Sequence, residues 1–480
     1  MEQLPGADSI FLSMETGDSH SHVGGLTILD PSGCPDFDYK RFASFVAERI
    51  RLAPRFGWKI REVPLGLDRP YWIEDPDYDP HRHIRRIAVP SPGGIHELAE
   101  LAGFLFGQPL EKGRPLWEIW YIEGVEGGRV ALFMKAHHCL MDGVSGAGLG
   151  ELLCDLEPNP ETPLAAAHRP ELKKPGEPGE LDMLLRGVRN WLGTPGRILD
   201  YGRRSAGRAV ATLRALGEPE APPLPFSAPK TIFNRNVGPK RAFACVTLPL
   251  DEIKAVRKHF DVTVNDVLLA VTGSAVRQYL IDRDELPEES LQVLVPVSTR
   301  SEDDDRLGNR VTNIAVSWAS DVDDPAERLR RISRNAKKAK ELLGAGDTFF
   351  LNALGELLPP ALAGWMFRLG DADTTPLIGN VVVSNVRGTP IPLYTAGARI
   401  ESMYPLSVLA VGQGLNITVV SYMGRVDFGF TVDPELVEDP WQLAEYVRSG
   451  LRELQALTER KESPNAGTLG GDVVAGDGVA

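Results

Sequence analysis

The chain has 480 residues, 42% of them hydrophobic and 25% charged, with a formal net charge of -14. That length suits two domains with a sizeable core each, and the composition is ordinary for a globular protein. The acidic balance excludes a general nucleic-acid binder, which needs a basic surface to neutralise phosphates.

Cys34, Cys139, Cys154 and Cys245 share no short pairing or metal-ligand spacing, which fits a reducing compartment and no disulfide framework. The N-terminus, MEQLPGADSIFLSMETG, lacks a basic n-region, so no signal peptide is expected. A spanning helix needs about 18 uninterrupted apolar residues. The nearest candidate, Thr348 to Gly370, is broken by Glu356 and by Pro359-Pro360. The expected location is the cytoplasm, with peripheral contact to a membrane left open.

In chain order, the apolar spacing of YKRFASFVAERI predicts a helix over Tyr39 to Ile50. Leu116 to Ile122 and Val130 to Ala136 read as strands separated by Glu123-Gly124 and Gly127-Gly128. Gly143 to Leu156 reads as a helix. From about residue 159 to 230 the chain turns Pro-rich and charged at both ends (EPNPETP, GEPEAPPLP), which marks a linker around an Arg-rich helical segment. Phe243 to Leu248, Leu291 to Val297, Asn380 to Ser384 and Asn416 to Tyr422 then read as strands, and Val264 to Leu280 as a helix. Ser384-Asn385 and Asp427-Phe428-Gly429 read as structural loops. Ser463 to Ala480 is Gly-rich and expected to be disordered. Strands interleaved with helices in both halves give an α/β expectation, with domains at 1–158 and 231–462, a crossover linker at 159–230 and a tail at 463–480.

The most informative stretch is His137-His138-Cys139-Leu140-Met141-Asp142-Gly143, which ends an apolar strand and precedes a helix. On a strand, neighbouring side chains diverge, so one histidine faces a cleft and the other is buried. A lone histidine is most often filler; two, followed closely by Asp-Gly in a chain of nine histidines, are much less so. The alternative of a metal site is weakened by that divergence and by the lack of another His or Cys pair with ligand spacing. Histidine near a neutral pKa suits general-base work on an alcohol. Cys139, as a covalent alternative, is disfavoured because strand alternation turns it from the face that His138 uses.

His137 to Gly143 matches the HHxxxDG motif of the chloramphenicol-acetyltransferase-like superfamily. The surroundings resemble the bacterial wax ester synthase/diacylglycerol acyltransferase (WS/DGAT) family: DSIFLSMETGDSHSHVGGLTI, PLWEIWYIEGVEGGRVALFMKAHHCLMDGVSG, VTVNDVLLAV, PVSTR, RLGNRVTN and VVVSNVRGTPIPLY. The resemblance runs from about Leu4 to Leu457. It implies two chloramphenicol-acetyltransferase-like α/β domains with an interdomain substrate tunnel. It also implies His138 as proton acceptor, His137 as support, and Asp142 with Gly143 fixing the turn, Arg300 being the expected partner of Asp142. Asn265 and Asp266 match the ND motif. They read equally as part of a capping box with Thr263 or, for Asn265, as a donor near the acyl carbonyl. Ser298 and Arg300 are further substrate or oxyanion candidates, and Pro115 to Glu118 is expected to be packing.

The implied activity is acyl-CoA-dependent O-acyl transfer to diacylglycerol or a long-chain fatty alcohol, giving triacylglycerol or wax ester. A thiolate leaves readily, so direct transfer needs no Ser or Cys nucleophile. The expected partners are acyl-CoA and a lipid alcohol, with no nucleic acid, no cofactor and no metal. The alternatives are a condensation or polyketide-associated acyltransferase, and a non-catalytic protein of membrane or lipid-droplet surfaces. Asp182 to Gly217 holds seven arginines against two aspartates, with Leu184, Leu185, Val188, Trp191 and Leu192 at helical spacing. That pattern suits either docking on anionic lipid, at the inner membrane or a droplet, or a linker helix packed on the acidic body.

Overall fold

A computed structural model describes residues 2–141, 152–160, 176, 178–215, 223, 227–298, 311–344, 355, 357–369 and 378–462. Two mixed six-stranded sheets dominate. The first contains β2 (His22–Asp30), β5 (Ile84–Ala88), β6 (Trp117–Val125), β7 (Arg129–His137), β12 (Tyr394–Thr395) and β13 (Ala398–Leu406), in the order β12-β13-β2-β7-β6-β5. The second contains β8 (Ala242–Pro249), β9 (Gln292–Ser298), β10 (Val311–Ser317), β11 (Val381–Val386), β14 (Leu415–Tyr422) and β15 (Arg425–Val432), in the order β10-β9-β11-β14-β15-β8. A small sheet joins β1 (Glu2–Gln3), β4 (Tyr71–Glu74) and β3 (Trp58–Arg61).

The expected helix over Tyr39–Ile50 forms with those bounds (α2), Asp38 capping it by accepting from the Arg41 amide. β6 and β7 are each longer than expected, because ladder pairing continues to Val125 opposite Arg129 at one end and to His137 opposite His22 of β2 at the other. The expected helix Gly143 to Leu156 falls mostly outside the described residues. Of its described end, Leu152 and Leu153 are helical, but the Asp155 amide and carbonyl pair with Tyr394, so the helix stops short of the expected Leu156. Ser384-Asn385 and Asp427-Phe428-Gly429 are not loops but parts of β11 and β15. Small and polar residues suggested turns there, whereas ladder pairing and burial decide for strands. The tail 463–480 lies outside the described residues.

Strand β13 comes from the second half of the chain but completes the first sheet, pairing antiparallel with β2. It lies close over β15: a Cβ added at Gly429 would stand 1.9 Å from the Pro405 carbonyl oxygen, so only glycine permits that approach. On the other side of the junction, helix α3 (Ile95–Gly107) presses on β8 through Gly103, where a Cβ would come within 2.9 Å of the Arg241 carbonyl oxygen. Leu98, Phe106 and Phe133 of the first half share one apolar cluster with Phe243, Cys245 and Leu406 of the second. The halves are therefore welded by dry contact, with the histidine-bearing end of β7 beside the weld.

The Arg-rich segment is one helix, Glu180–Ala215, with Pro195 inside it. Met183, Gly187, Asn190 and Thr194, spaced four, three and four residues apart, face the body; the Asn190 amide donates to the Asp68 carboxylate at 2.7 Å. Leu185, Trp191, Leu192 and Leu199 are exposed, as are Arg186, Arg189, Arg197 and Arg203. Trp191 and Arg197 share a small pocket with Leu358 and Pro359, which lead into helix Pro360–Leu369; there Leu362, Trp365 and Met366 are also exposed. Among the described residues no helix is long and apolar enough to cross a membrane.

Candidate active site

The site begins with β7, whose apolar run Val130 to Met134 holds it in the middle of the first sheet between β2 and β6. The strand ends at His137, and His138 opens a short helix, α4 (His138–Met141). The two histidines diverge, though through this strand-to-helix switch rather than through continued strand alternation. The His138 amide donates to the Ser21 carbonyl at 2.8 Å, pinning the switch to the start of β2. Its ring stacks on Phe11 of helix α1 (Gly6–Met14) at 3.7 Å between centroids, and the residue is half-buried.

His137 is fully enclosed, 2% exposed. Its Nδ1 accepts from the Cys139 amide at 3.2 Å and stands 2.9 Å from the Cys139 thiol, and its Nε2 stands 3.2 Å from Oε1 of Glu15. A backbone amide can only donate, so Nδ1 is unprotonated and Nε2 carries the proton given to Glu15. Burial pushes the His137 pKa down, and Glu15 only partly opposes it, so the ring is neutral. Burial alone would raise the Glu15 carboxyl. The hydrogen bond from the His137 ring and the Lys112 ammonium, 2.8 Å away, oppose burial and hold that carboxyl well below the usual carboxylate range. Since His137 is neutral, Lys112 is the full charge that balances Glu15. The Ser21 amide adds a further donor to the same Oε1 at 3.2 Å.

Beneath the histidines, Lys135 is completely buried and donates to the carbonyls of Leu105 and Gln108 at the end of α3, at 2.7 and 2.8 Å, while pairing with Glu118 at 2.8 Å. His22 lies opposite His137 across the β2–β7 ladder; burial, then Lys135, push its pKa well down. A cavity of about 270 Å³ opens beside the ends of these strands, lined by Glu15, His20, His22, Lys112, His137 and Arg368 among others. It touches His137 rather than His138.

Cys139 is buried against His137 and is in helix rather than strand, which turns its thiol from the His138 side for a reason other than alternation. Thr263 caps helix Val264–Ile281 and Asp266 completes the box, its carboxylate accepting from the Thr263 amide and the Ser333 hydroxyl, both at 2.9 Å. Asn265 is not the cap: its Oδ1 accepts from the Asn385 side chain at 3.3 Å. These partners all belong to the second half. Ser298 ends β9 opposite Val311. Asp142, Gly143 and Arg300 lie outside the described residues. Trp117 is buried and Glu118 pairs with Lys135, both within packing. Among the described residues no group of three or more His, Cys, Asp or Glu side chains could hold a metal ion.

Sequence reasoning missed Glu15, Lys112 and Phe11 as parts of the site. Glu15 stands in the stretch SMETGDSHSH, close to Ser21 and His22 in sequence, but Lys112 and His137 are about a hundred residues away. Only folding brings them together.

The description "wax ester synthase/diacylglycerol acyltransferase catalytic domain" matches residues 4–268, and "WS/DGAT C-terminal domain" matches residues 307–455. The chain is 35% identical over 458 residues to a Mycobacterium tuberculosis protein, Rv1760, named as a candidate diacylglycerol O-acyltransferase, covering 95% of this chain and 90% of that one. It is also 35% identical over 464 residues to tgs2 of the same organism, named likewise, covering 95% and 99%. Among solved structures, a wax ester synthase/diacylglycerol acyltransferase from Marinobacter aquaeolei VT8 superposes with a TM-score of 0.68 at 28% identity, covering 95% of this chain and all of that one. The first condensation domain of the calcium-dependent antibiotic synthetase, at 16% identity and a TM-score of 0.56, covering 95% and 96%, shares the fold alone.

Proposed function

The chain belongs to the wax ester synthase/diacylglycerol acyltransferase family and is an acyltransferase, and we propose that it carries an acyl group from acyl-CoA to the hydroxyl of diacylglycerol or a long-chain fatty alcohol, with His138 as general base. The observation that carries this reading is the division of labour between the two histidines. His137 has both ring nitrogens committed inside the protein, whereas His138 is half-buried and starts a helix beside the junction of the two halves. His138 takes the hydroxyl proton as the oxygen attacks the thioester carbonyl. The tetrahedral oxyanion collapses, the C–S bond breaks, and the CoA thiolate leaves and receives the proton from the imidazolium. No covalent enzyme intermediate is needed.

Asn265 spends its Oδ1 on Asn385, so its Nδ2 is the group it offers to the oxyanion. Asp266 is reserved for capping. The acyl chain lies in a tunnel between an N-terminal domain, 1–158, and a C-terminal domain, 231–462, joined by the crossover 159–230. The enzyme meets its lipid acceptor peripherally, at the inner membrane or a lipid-droplet surface, through the exposed apolar and arginine side chains of helix Glu180–Ala215.

Purified full-length protein with palmitoyl-CoA and a panel of fatty alcohols and diacylglycerol tests the reading. Ester formation with release of free CoA is expected, and His138→Ala should lower the rate roughly 10²–10⁴-fold while keeping the fold. Retention of more than about a tenth of the rate removes His138 as the base. Absence of transfer to every lipid alcohol overturns the reading.

A further inference from the structure

Glu15 touches no reacting group in the scheme above, yet it is buried, ionised and aimed at the histidine next to the base. We propose that Glu15 is a positioning residue that locks His137 in its Nε2–H tautomer and thereby sets where His138 stands. The argument is geometric. Nδ1 of His137 must accept the Cys139 amide, the second N–H of α4, at 3.2 Å. It can do so only while the proton stays on Nε2, and Glu15 Oε1, at 3.2 Å, is the acceptor that keeps it there. If the proton moved to Nδ1, two donors would face each other and the first turn of α4 would shift, carrying His138 with it.

Glu15 is itself placed from three directions: it follows α1, whose Phe11 stacks on His138; its Oε1 accepts the Ser21 amide; and its Oε2 pairs with Lys112 at 2.8 Å. Ser21 is also the residue whose carbonyl receives the His138 amide. One carboxylate thus ties together the segments that hold both histidines. Because both donors use the same oxygen, glutamine at position 15 can keep the two hydrogen bonds while losing the ion pair to exposed Lys112. Alanine loses all of them.

This role rests on His138 being the base, and two readouts separate the claims. In steady-state kinetics, Glu15→Ala should lower kcat roughly ten- to a hundredfold with KM nearly unchanged, since a small displacement of a catalytic group costs on that order. Glu15→Gln should stay within about threefold of wild type, since its hydrogen bonds persist. Equal damage in both variants, an undamaged Glu15→Ala, or a loss confined to KM overturns the proposal. In the ring-nitrogen NMR spectrum of ¹⁵N-histidine-labelled wild type, His22 and His83 turn Nδ1 to the carbonyls of Phe106 and Trp117 and are therefore Nδ1–H. His137 is expected as a buried ring of the opposite tautomer, neutral at pH 7 and above because burial lowers its pKa. Its absence from the wild-type spectrum overturns the proposal whether or not the chain transfers acyl groups or Glu15→Ala folds.

Discussion

The amide of Met403, in β13, donates to the Asp427 carboxylate, in β15, at 3.0 Å, and this bond joins the first sheet to the second. The other oxygen of Asp427 accepts the Thr247 hydroxyl at 2.6 Å, and that hydroxyl also meets the Tyr404 hydroxyl at 3.1 Å. Asp427 is completely buried, and burial raises its pKa despite these donors. Asp427→Ala leaves the half-buried Met403 amide without its acceptor and the Thr247 hydroxyl with Tyr404 alone, and should cost roughly 1–3 kcal/mol. Asp427→Asn keeps an acceptor for Met403 and a donor for Thr247, so it should cost much less. Denaturant melts of both variants check this, and equal losses would mean that the charge rather than the hydrogen bonds joins the sheets.

Gly429, two residues on, gives a steric version of the same test. Gly429→Ala places a methyl group 1.9 Å from the Pro405 carbonyl oxygen, so β13 must lift from β15. A fall in melting temperature with a larger fall in activity is expected, because β13 pairs with β2, the strand that borders the histidines. An unchanged melting temperature would show that the junction opens without penalty.

Arg49 of α2 and Asp155 pair at 2.5 Å with both side chains buried. Removing one partner of a buried pair costs roughly 3–5 kcal/mol, because the other charge remains uncompensated. Arg49→Met and Asp155→Ala should each destabilise strongly, while the double variant should cost less than the sum. Urea unfolding of the full cycle measures the coupling, and strict additivity would show that the pair carries none.

The buried histidines give a sign for pH. Burial lowers the pKa of His22, His83 and His137 in the folded chain below the ordinary value of 6.5. The unfolded chain therefore binds protons first as pH falls, and stability that is complete above about pH 6.5 is lost progressively below it. Glu15, held low in the fold, adds a second loss below the ordinary carboxylate value of 4.5. Calorimetry from pH 7.5 down to 5 should show a falling melting temperature, with a shallower slope in His22→Gln. A melting temperature flat over that range would mean that the buried rings are charged in the folded protein.

Lipid docking is tested by charge and by apolar contact separately. Changing Arg186, Arg189, Arg197 and Arg203 to Gln should weaken co-sedimentation with anionic vesicles, each arginine contributing about 1 kcal/mol and less at high salt. Trp191→Glu should weaken binding to neutral vesicles as well. Unchanged binding in both variants would leave helix Glu180–Ala215 as a bridge across the body.

The HHxxxDG stretch, the amphipathic period of α2 and the apolar runs of β6, β7 and β14 are local patterns, so they were legible before folding. The motif also carried the family and with it the acyl-transfer chemistry. Capping at Thr263 and Asp266 was legible for the same reason: donor and acceptor lie three residues apart. Other features depend on distant segments. Asp427 and Gly429 make Asp427-Phe428-Gly429 look like a turn, and only pairing with the distant strand β8 on one side and with β14 on the other makes it a strand. Nothing local assigns β13 to the first sheet, because its partner β2 lies more than 350 residues earlier. Glu15 and Lys112 are unremarkable charges in the sequence; only the fold sets His137 and Lys112 against Glu15, and these two partners keep it ionised in spite of burial. Sequence pattern brings the two histidines of the motif to notice, whereas burial and long-range pairing decide which of them is locked: His137 is enclosed with both ring nitrogens engaged, and His138 is half-buried at the start of a helix.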